Sequence, residues 1–271
     1  KTGTHTGNII LKDSVSITAS GANHGMGTSG SLIAESGIHA VTFGIDQGKG
    51  LVINKGATVN LTTTRDLQLG GLINNQGSLN VSAGGNNPIL YLTKTGSDLG
   101  NLNLMQGTIA LSTWQTSPNL IIQGNDITRS AGTIFDLRAS SLTANSMNLL
   151  GTLKGNNNSQ LILANGLKTA SMELTGTTVS ARSIQANATS LGNNSKLTAT
   201  EDLTLSDITN IGNDVSLAGG NVSLSSAVTL TSGNLSLTAG HKLLLNSGTY
   251  IWTNSTVDVH DSTTLAESVR L

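Results

Sequence analysis

The sequence predicts an all-β fold: a right-handed parallel β-helix (solenoid) with three short strands per coil of about 20 residues. Three observations point there. The apolar load is aliphatic, since 37% of the 271 residues are hydrophobic while only 2% are aromatic and 11% are charged. Glycine is abundant, with 32 glycines against 2 prolines. That composition is too apolar for a disordered chain and lacks the period of a collagen. Lastly, the chain repeats itself. Ile53-Asn54-Lys55-Gly56-Ala57-Thr58-Val59-Asn60-Leu61 lies 20 positions before Ile73-Asn74-Asn75-Gln76-Gly77-Ser78-Leu79-Asn80-Val81, with Ile, Asn, aliphatic and Asn positions matched.

The C-terminal half carries the same period in apolar-polar-apolar triplets: Leu203/Leu205, Val215/Leu217, Val222/Leu224, Val228/Leu230, Leu235/Leu237, Leu243/Leu245 and Val257/Val259. Alternate side chains of a strand share a face, so each triplet buries two aliphatic residues and exposes the polar one between them. Every third triplet falls about one coil on, with steps of 20 from Val215 to Leu235, 21 from Val222 to Leu243 and 22 from Leu235 to Val257. Ile89/Ile109 and Leu102/Ile122 are each 20 apart and read as the same relation. A three-residue strand with one buried face does not stand alone. Three of them in one turn stack on the next turn at roughly 4.8 Å, where each backbone N–H and C=O finds a partner.

Corners follow from glycine and asparagine. Ala83-Gly84-Gly85-Asn86, Leu191-Gly192-Asn193-Asn194, Ala218-Gly219-Gly220-Asn221 and Thr238-Ala239-Gly240-His241 supply the positive φ expected of tight turns. Asn54/Asn74 and Asn60/Asn80 are placed to bond as ladders between coils. No 15-residue window keeps a helical period, and the one helical turn allowed for is Ser31–Ser36, stopped by Gly37. Residues 1–50 read as irregular or opening coils, and residues 51–271 as a β-solenoid continuing as one domain. The ends, Lys1-Thr2-Gly3-Thr4-His5 and Glu267-Ser268-Val269-Arg270-Leu271, read as those of a piece processed from a longer chain.

The chemistry-bearing residues are sparse. Cysteine is absent, which removes disulfides and cysteine metal sites. A net charge of −1 supplies no field for nucleic acid. Gly25-Met26-Gly27-Thr28-Ser29-Gly30 fits a dinucleotide fingerprint, but no strand directly precedes it and Gly37 ends any helix, so it reads as a loop. Asp46 and Asp66 stack one period apart beside Arg65, yet residue 86 is Asn, so the pair reads as a solvated wall and not as a glycan-cleaving site. His5, His24, His39, His241 and His260 show no ligand spacing; no metal and no cofactor are expected. Tyr250 and Trp252 follow Leu243 and Leu245 by seven residues and read as core filling. With Ile251 inward instead, they form an exposed aromatic pair, the one candidate contact for a partner or glycan.

Lines such as Leu235-Ser236-Leu237-Thr238-Ala239-Gly240-His241-Lys242-Leu243-Leu244-Leu245 resemble haemagglutinin repeats. These build the filamentous haemagglutinin family of two-partner secretion exoproteins, which includes contact-dependent growth inhibition stalks. The resemblance covers roughly residues 50–265. It implies export through an outer-membrane transporter, a place at the bacterial cell surface or in secreted form, and a non-catalytic role as an adhesin or toxin-presenting stalk. It also implies a host or neighbouring-cell receptor or glycan as partner. The family's secretion domain carries Asn-Pro-Asn-Leu and Asn-Pro-Asn-Gly-Ile; here Ser117-Pro118-Asn119-Leu120 stands without a second motif, so a stalk or receptor-binding stretch is expected. The alternatives on the same fold are an autotransporter passenger or self-associating surface filament, whose uncapped ends would stack end to end, and a polysaccharide-degrading enzyme.

Overall fold

A computed structural model describes residues 9–14, 16–18, 31–43, 50–63, 66–84, 88–112, 119–156, 158–225, 228–230, 233–245, 248–252, 255–260, 263–265 and 269–270. Beyond Leu245 only the backbone is described. The chain is all-β, and its parallel strands stack as a β-solenoid with coils roughly 20 residues apart. No helix occurs among the described residues. Two compact units divide it, Lys1–Ala144 and Asn145–Leu271.

In the first unit, three faces form. The first face stacks Ile9–Leu11, Ser31–Ala34, Gly50–Ile53 and Ile73–Asn75, and continues through single bridges from Asn74 to Asp98 to Gln123. The second stacks Ser16–Thr18, Ile38–Phe43, Thr58–Thr63, Ser78–Ala83, Asn101–Gln106 and Asp126–Arg129. The third stacks Leu67–Leu69, Ile89–Leu92, Thr108–Ala110 and Ile134–Asp136. Leu90, Ile109 and Phe135 form one inward column there, each with no exposed surface.

The second unit repeats the plan with longer strands. Ser146–Gly155, Gly166–Leu174 and Ser183–Leu191 each run round the second and third faces. On its first face Leu161, Val179, Leu197, Leu217 and Leu237 stand in register, and none is more than 1% exposed. Burying each such side chain contributes about 1.5–3 kcal/mol, which is what lets strands this short persist. Hydroxyls fill the inner corners: Ser195 Oγ donates to the Gly192 carbonyl at 2.8 Å and Ser159 Oγ to that of Asn156.

The register confirms much of the repeat. Val215 pairs with Leu235, Val222 with Leu243 and Leu235 with Val257. Other expectations are corrected. Ile109 pairs with Leu90 and not Ile89, because Ile89-Leu90-Tyr91-Leu92 is apolar throughout and offers alternation no phase. Leu102 pairs with Ile127 and Ile122 with Leu142, because extra chain between Ala110 and Ile121 lengthens that coil. Ser31–Ala34 is a strand and not a helical turn, its four residues paired with Gly50–Ile53.

The Asn60/Asn80 ladder forms, with Asn80 Nδ2 donating to Asn60 Oδ1 at 2.7 Å. Asn54/Asn74 does not, because Val52 pairs with Asn74 and Ile53 with Asn75. The corner after Ile53 takes four residues, Asn54 to Ala57, while the corner after Asn75 takes two, Gln76 and Gly77. Buried Asn75 holds the tight one. Its Nδ2 donates to the carbonyls of Leu99 and Asn101 at 2.7 and 3.0 Å, and its Oδ1 accepts from Gly77 N–H. A Cβ at Gly77 would lie 2.2 Å from the Ala57 carbonyl oxygen, so only glycine passes.

The expected left-handed glycine corners are also revised. Gly219 and Gly220 lie inside the continuous strand Val215–Ser225 and have ordinary φ. Gly219 is required for space, since its Cβ would sit 2.7 Å from the Asn221 carbonyl oxygen. Positive φ falls on Asn194, within one of the expected corners, on Asp207 and Asp214, residue types that tolerate it best after glycine, and on glycines outside those corners such as Gly56 and Gly176.

Candidate functional site

The three outer faces of the first unit differ in chemistry. Ile10, Ile33 and Val52 stand in register on the outside of the first face, and Leu72 and Ile121 on the same face are 47% and 62% exposed. The second face is an amide and hydroxyl surface. Asn60, Asn80 and Asn103 form its central row, which ends at Thr128, whose Oγ1 donates to Asn103 Oδ1 at 3.2 Å. Thr58 and Ser78 flank the row on one side, Thr62 and Ser82 on the other. Its three central strands, TVNLTT, SLNVSA and NLNLMQ, contain no ionisable side chain, while Met105 is 54% exposed and Asp126 is exposed on the adjoining strand Asp126–Arg129.

The third face carries a polar cluster. Tyr91, Ala110 and Asp136 are in register on its outer side, one coil apart in turn. Arg138 Nε donates to Asp136 Oδ2 at 2.8 Å, and its Cζ lies 5.6 Å from the centre of the Tyr91 ring. The contact reaches over the intervening coil, where a larger residue than Ala110 would stand in its way. Burial pulls the guanidinium down, but the Asp136 carboxylate and Tyr91 outweigh it, and Arg138 is held above the ordinary arginine value. The result is a charge-balanced staple between coils two apart, with the cation over the aromatic face.

The staple has a backbone cost. Arg138 and Ala139 are consecutive non-glycine residues with φ of 39° and 58°. Each costs roughly 1–2 kcal/mol for its Cβ. Ala139→Gly is therefore expected to raise stability by about 0.5–1 kcal/mol in urea unfolding, and a destabilised variant would contradict the strain.

Among the described residues, two ionisable side chains are buried in the core. His39 pairs with Val59 in register, points inward and is fully buried. Its Nε2–H donates to the Ser36 carbonyl at 2.6 Å, and its Nδ1 has no hydrogen-bond partner. Arg129 continues the inward column of Leu61, Val81 and Leu104. Its Nε donates to Thr133 Oγ1 at 3.0 Å, and that hydroxyl donates to the Ser130 carbonyl. Desolvation pulls the Arg129 pKa from the ordinary arginine value down to about 9.

The sign follows from that direction. The charged form is disfavoured in the folded state, so the penalty is complete below the folded value and shrinks as pH rises from about 9 toward the ordinary arginine value. Arg129→Met is expected to stabilise the chain by about 1–4 kcal/mol at neutral pH. The gap between variant and wild type should narrow as thermal melts are taken through about pH 9. A gap that is absent or pH-independent contradicts the burial cost.

The sequence hid these two positions because a histidine and an arginine stand where the apolar phase calls for an aliphatic residue. Tyr250 and Trp252 lie in the strand Gly248–Trp252, in register with Val228 and Leu230. Their side chains, like that of His260, fall outside the described residues. Asp46, Arg65, His5, His24, Ser117, Pro118 and the Gly25–Gly30 segment also lie outside them. Asp66 is exposed, and its Oδ1 accepts the Ile89 N–H at 2.8 Å, a backbone role. His241 is exposed in the second unit. Among the described residues, no three His, Cys, Asp or Glu side chains gather as a metal site requires.

No protein-family model, curated protein or solved structure matches the chain.

Proposed function

We propose that the chain is a non-catalytic structural segment of a secreted bacterial cell-surface exoprotein, acting as an adhesin or toxin-presenting stalk after export through an outer-membrane transporter. The observation that carries this reading is the division of labour within each coil. The inside is a largely aliphatic column, and the outside of the second unit repeats polar residues that bond to their equivalents one coil away. Asn165 Nδ2 donates to Asn145 Oδ1 at 2.7 Å, Asn221 Nδ2 to Asp202 Oδ1 at 2.8 Å and Asn234 Nδ2 to Asp214 Oδ1 at 2.9 Å. Such an array derives its stability from neighbouring coils and offers lateral surface at regular steps. The haemagglutinin-repeat style of the sequence supports the bacterial surface as its place.

The test fuses the chain between an outer-membrane anchor and a terminal epitope. Antibody staining of intact bacteria is expected to find the epitope outside, and the cells are expected to adhere to epithelial or bacterial partners above the anchor-only control. An epitope that stays inside, or release of reducing ends from a polysaccharide by the purified chain, overturns the reading.

A further inference from the structure

We propose that the amide and hydroxyl face of the first unit is a docking surface for an uncharged polysaccharide. The inference rests on the surface-segment reading above and names the partner class for it. Charge decides between polymers. A nucleic acid or an acidic glycan is held by outward cations, and the three central strands of this face carry none, while Arg129 at its end is buried. A protein partner is held at an apolar and aromatic centre, which the aliphatic first face approaches and this face does not. A neutral glycan asks for uncharged donors and acceptors in fixed positions.

Those positions are fixed. Asn60, Asn80 and Asn103 are half-buried, so their amides are confined by neighbours on either side. The Asn80 to Asn60 bond and the Thr128 to Asn103 bond orient the row from both ends. A primary amide has two N–H donors and two acceptor lone pairs, so each ladder bond leaves capacity facing outward. Ordering that is already complete before contact lowers the entropy lost on binding. A polymer laid across the stacked coils meets an equivalent amide at each step of roughly 4.8 Å. Weak contacts repeated in this way add as one multivalent attachment.

Affinity electrophoresis of the whole chain tests it, through gels cast with hydroxyethyl cellulose, galactomannan or yeast mannan, and with polygalacturonate or heparin as charged arms. At least one neutral polymer is expected to retard the wild type, and the charged polymers are not. Asn80→Asp places a carboxylate against Asn60 Oδ1 and is expected to weaken retardation about tenfold. Asn103→Ala, with its melt recorded alongside, is expected to weaken it without adding charge. Thr198→Asp on the second unit is expected to change nothing. The docking surface is overturned if no neutral polymer retards the wild type, if charged polymers retard it equally, or if both face variants bind as before. Cell adhesion scored on the same protein separates the two ideas. A chain that adheres to cells but ignores neutral polymers loses only the docking surface, whereas one that binds a polymer but no cell keeps it and loses the adhesin reading.

Discussion

Excision of residues 178–195 should leave the second unit folded, with an undiminished β signal in far-UV circular dichroism and a cooperative melt. Thr178 pairs with Lys196, so this cut removes one complete coil and brings Lys196 to the register position that Thr178 held against Gln160. The inner column then reads Leu161, Leu197, Leu217, with no side chain changed in phase. Excision of 187–195 alone should abolish the cooperative melt, because the strand Lys196–Ala199 would arrive on the wrong face with its apolar residues unmatched. A half-coil deletion that melts like the whole-coil deletion would refute the stacking.

Phe135→Ala should cost about 3–5 kcal/mol in urea unfolding, the largest loss from truncating any described side chain in the first unit. Phe135 heads the fully buried side chains by volume and stands in column with Leu90 and Ile109. The sheets on either side are fixed by their hydrogen bonds and cannot close over the cavity. Its neighbour Ile134 points outward and is half-buried, so Ile134→Ala should cost under about 1 kcal/mol. Equal losses at the two positions would contradict the inward register of Phe135.

The architecture was legible where coils keep one length. Leu235 could be matched to Val215 and Val257 because the second unit changes little from coil to coil. Where length changes, equal spacing misleads: it relates Leu102 to Ile122, which belongs a partial turn away, on another face. Corners were the least legible part. Glycine marked close approach at Gly77 and Gly219, while left-handed backbone fell to glycines outside the expected corners, such as Gly56 and Gly176, and to Asn194, Asp207 and Asp214, whose residue types are common everywhere in this chain.

Of the candidate surfaces, the Asn60–Asn80 pair could be read from the repeat, since identical residues in register bond to each other. The Tyr91–Asp136–Arg138 staple could not. It joins residues whose alignment passes through Ala110, and that alignment depends on the two coil lengths periodicity missed. Arg129 was invisible for a different reason: nothing in Ile127-Thr128-Arg129 distinguishes a strand that turns its cation inward from one that ends there.

Strands that pass round the corners unbroken, such as Val215–Ser225 and Gly233–Leu245, bear on how the second unit would answer a mechanical load. Drawn out from one terminus, a loop of chain must tear free along its whole hydrogen-bonded perimeter before the next feels any tension. The steps from Val179 to Leu197 and from Leu197 to Leu217 are 18 and 20 residues. Extended at 3.3–3.6 Å per residue, each rupture would release roughly 60–70 Å, a sawtooth whose teeth count the turns.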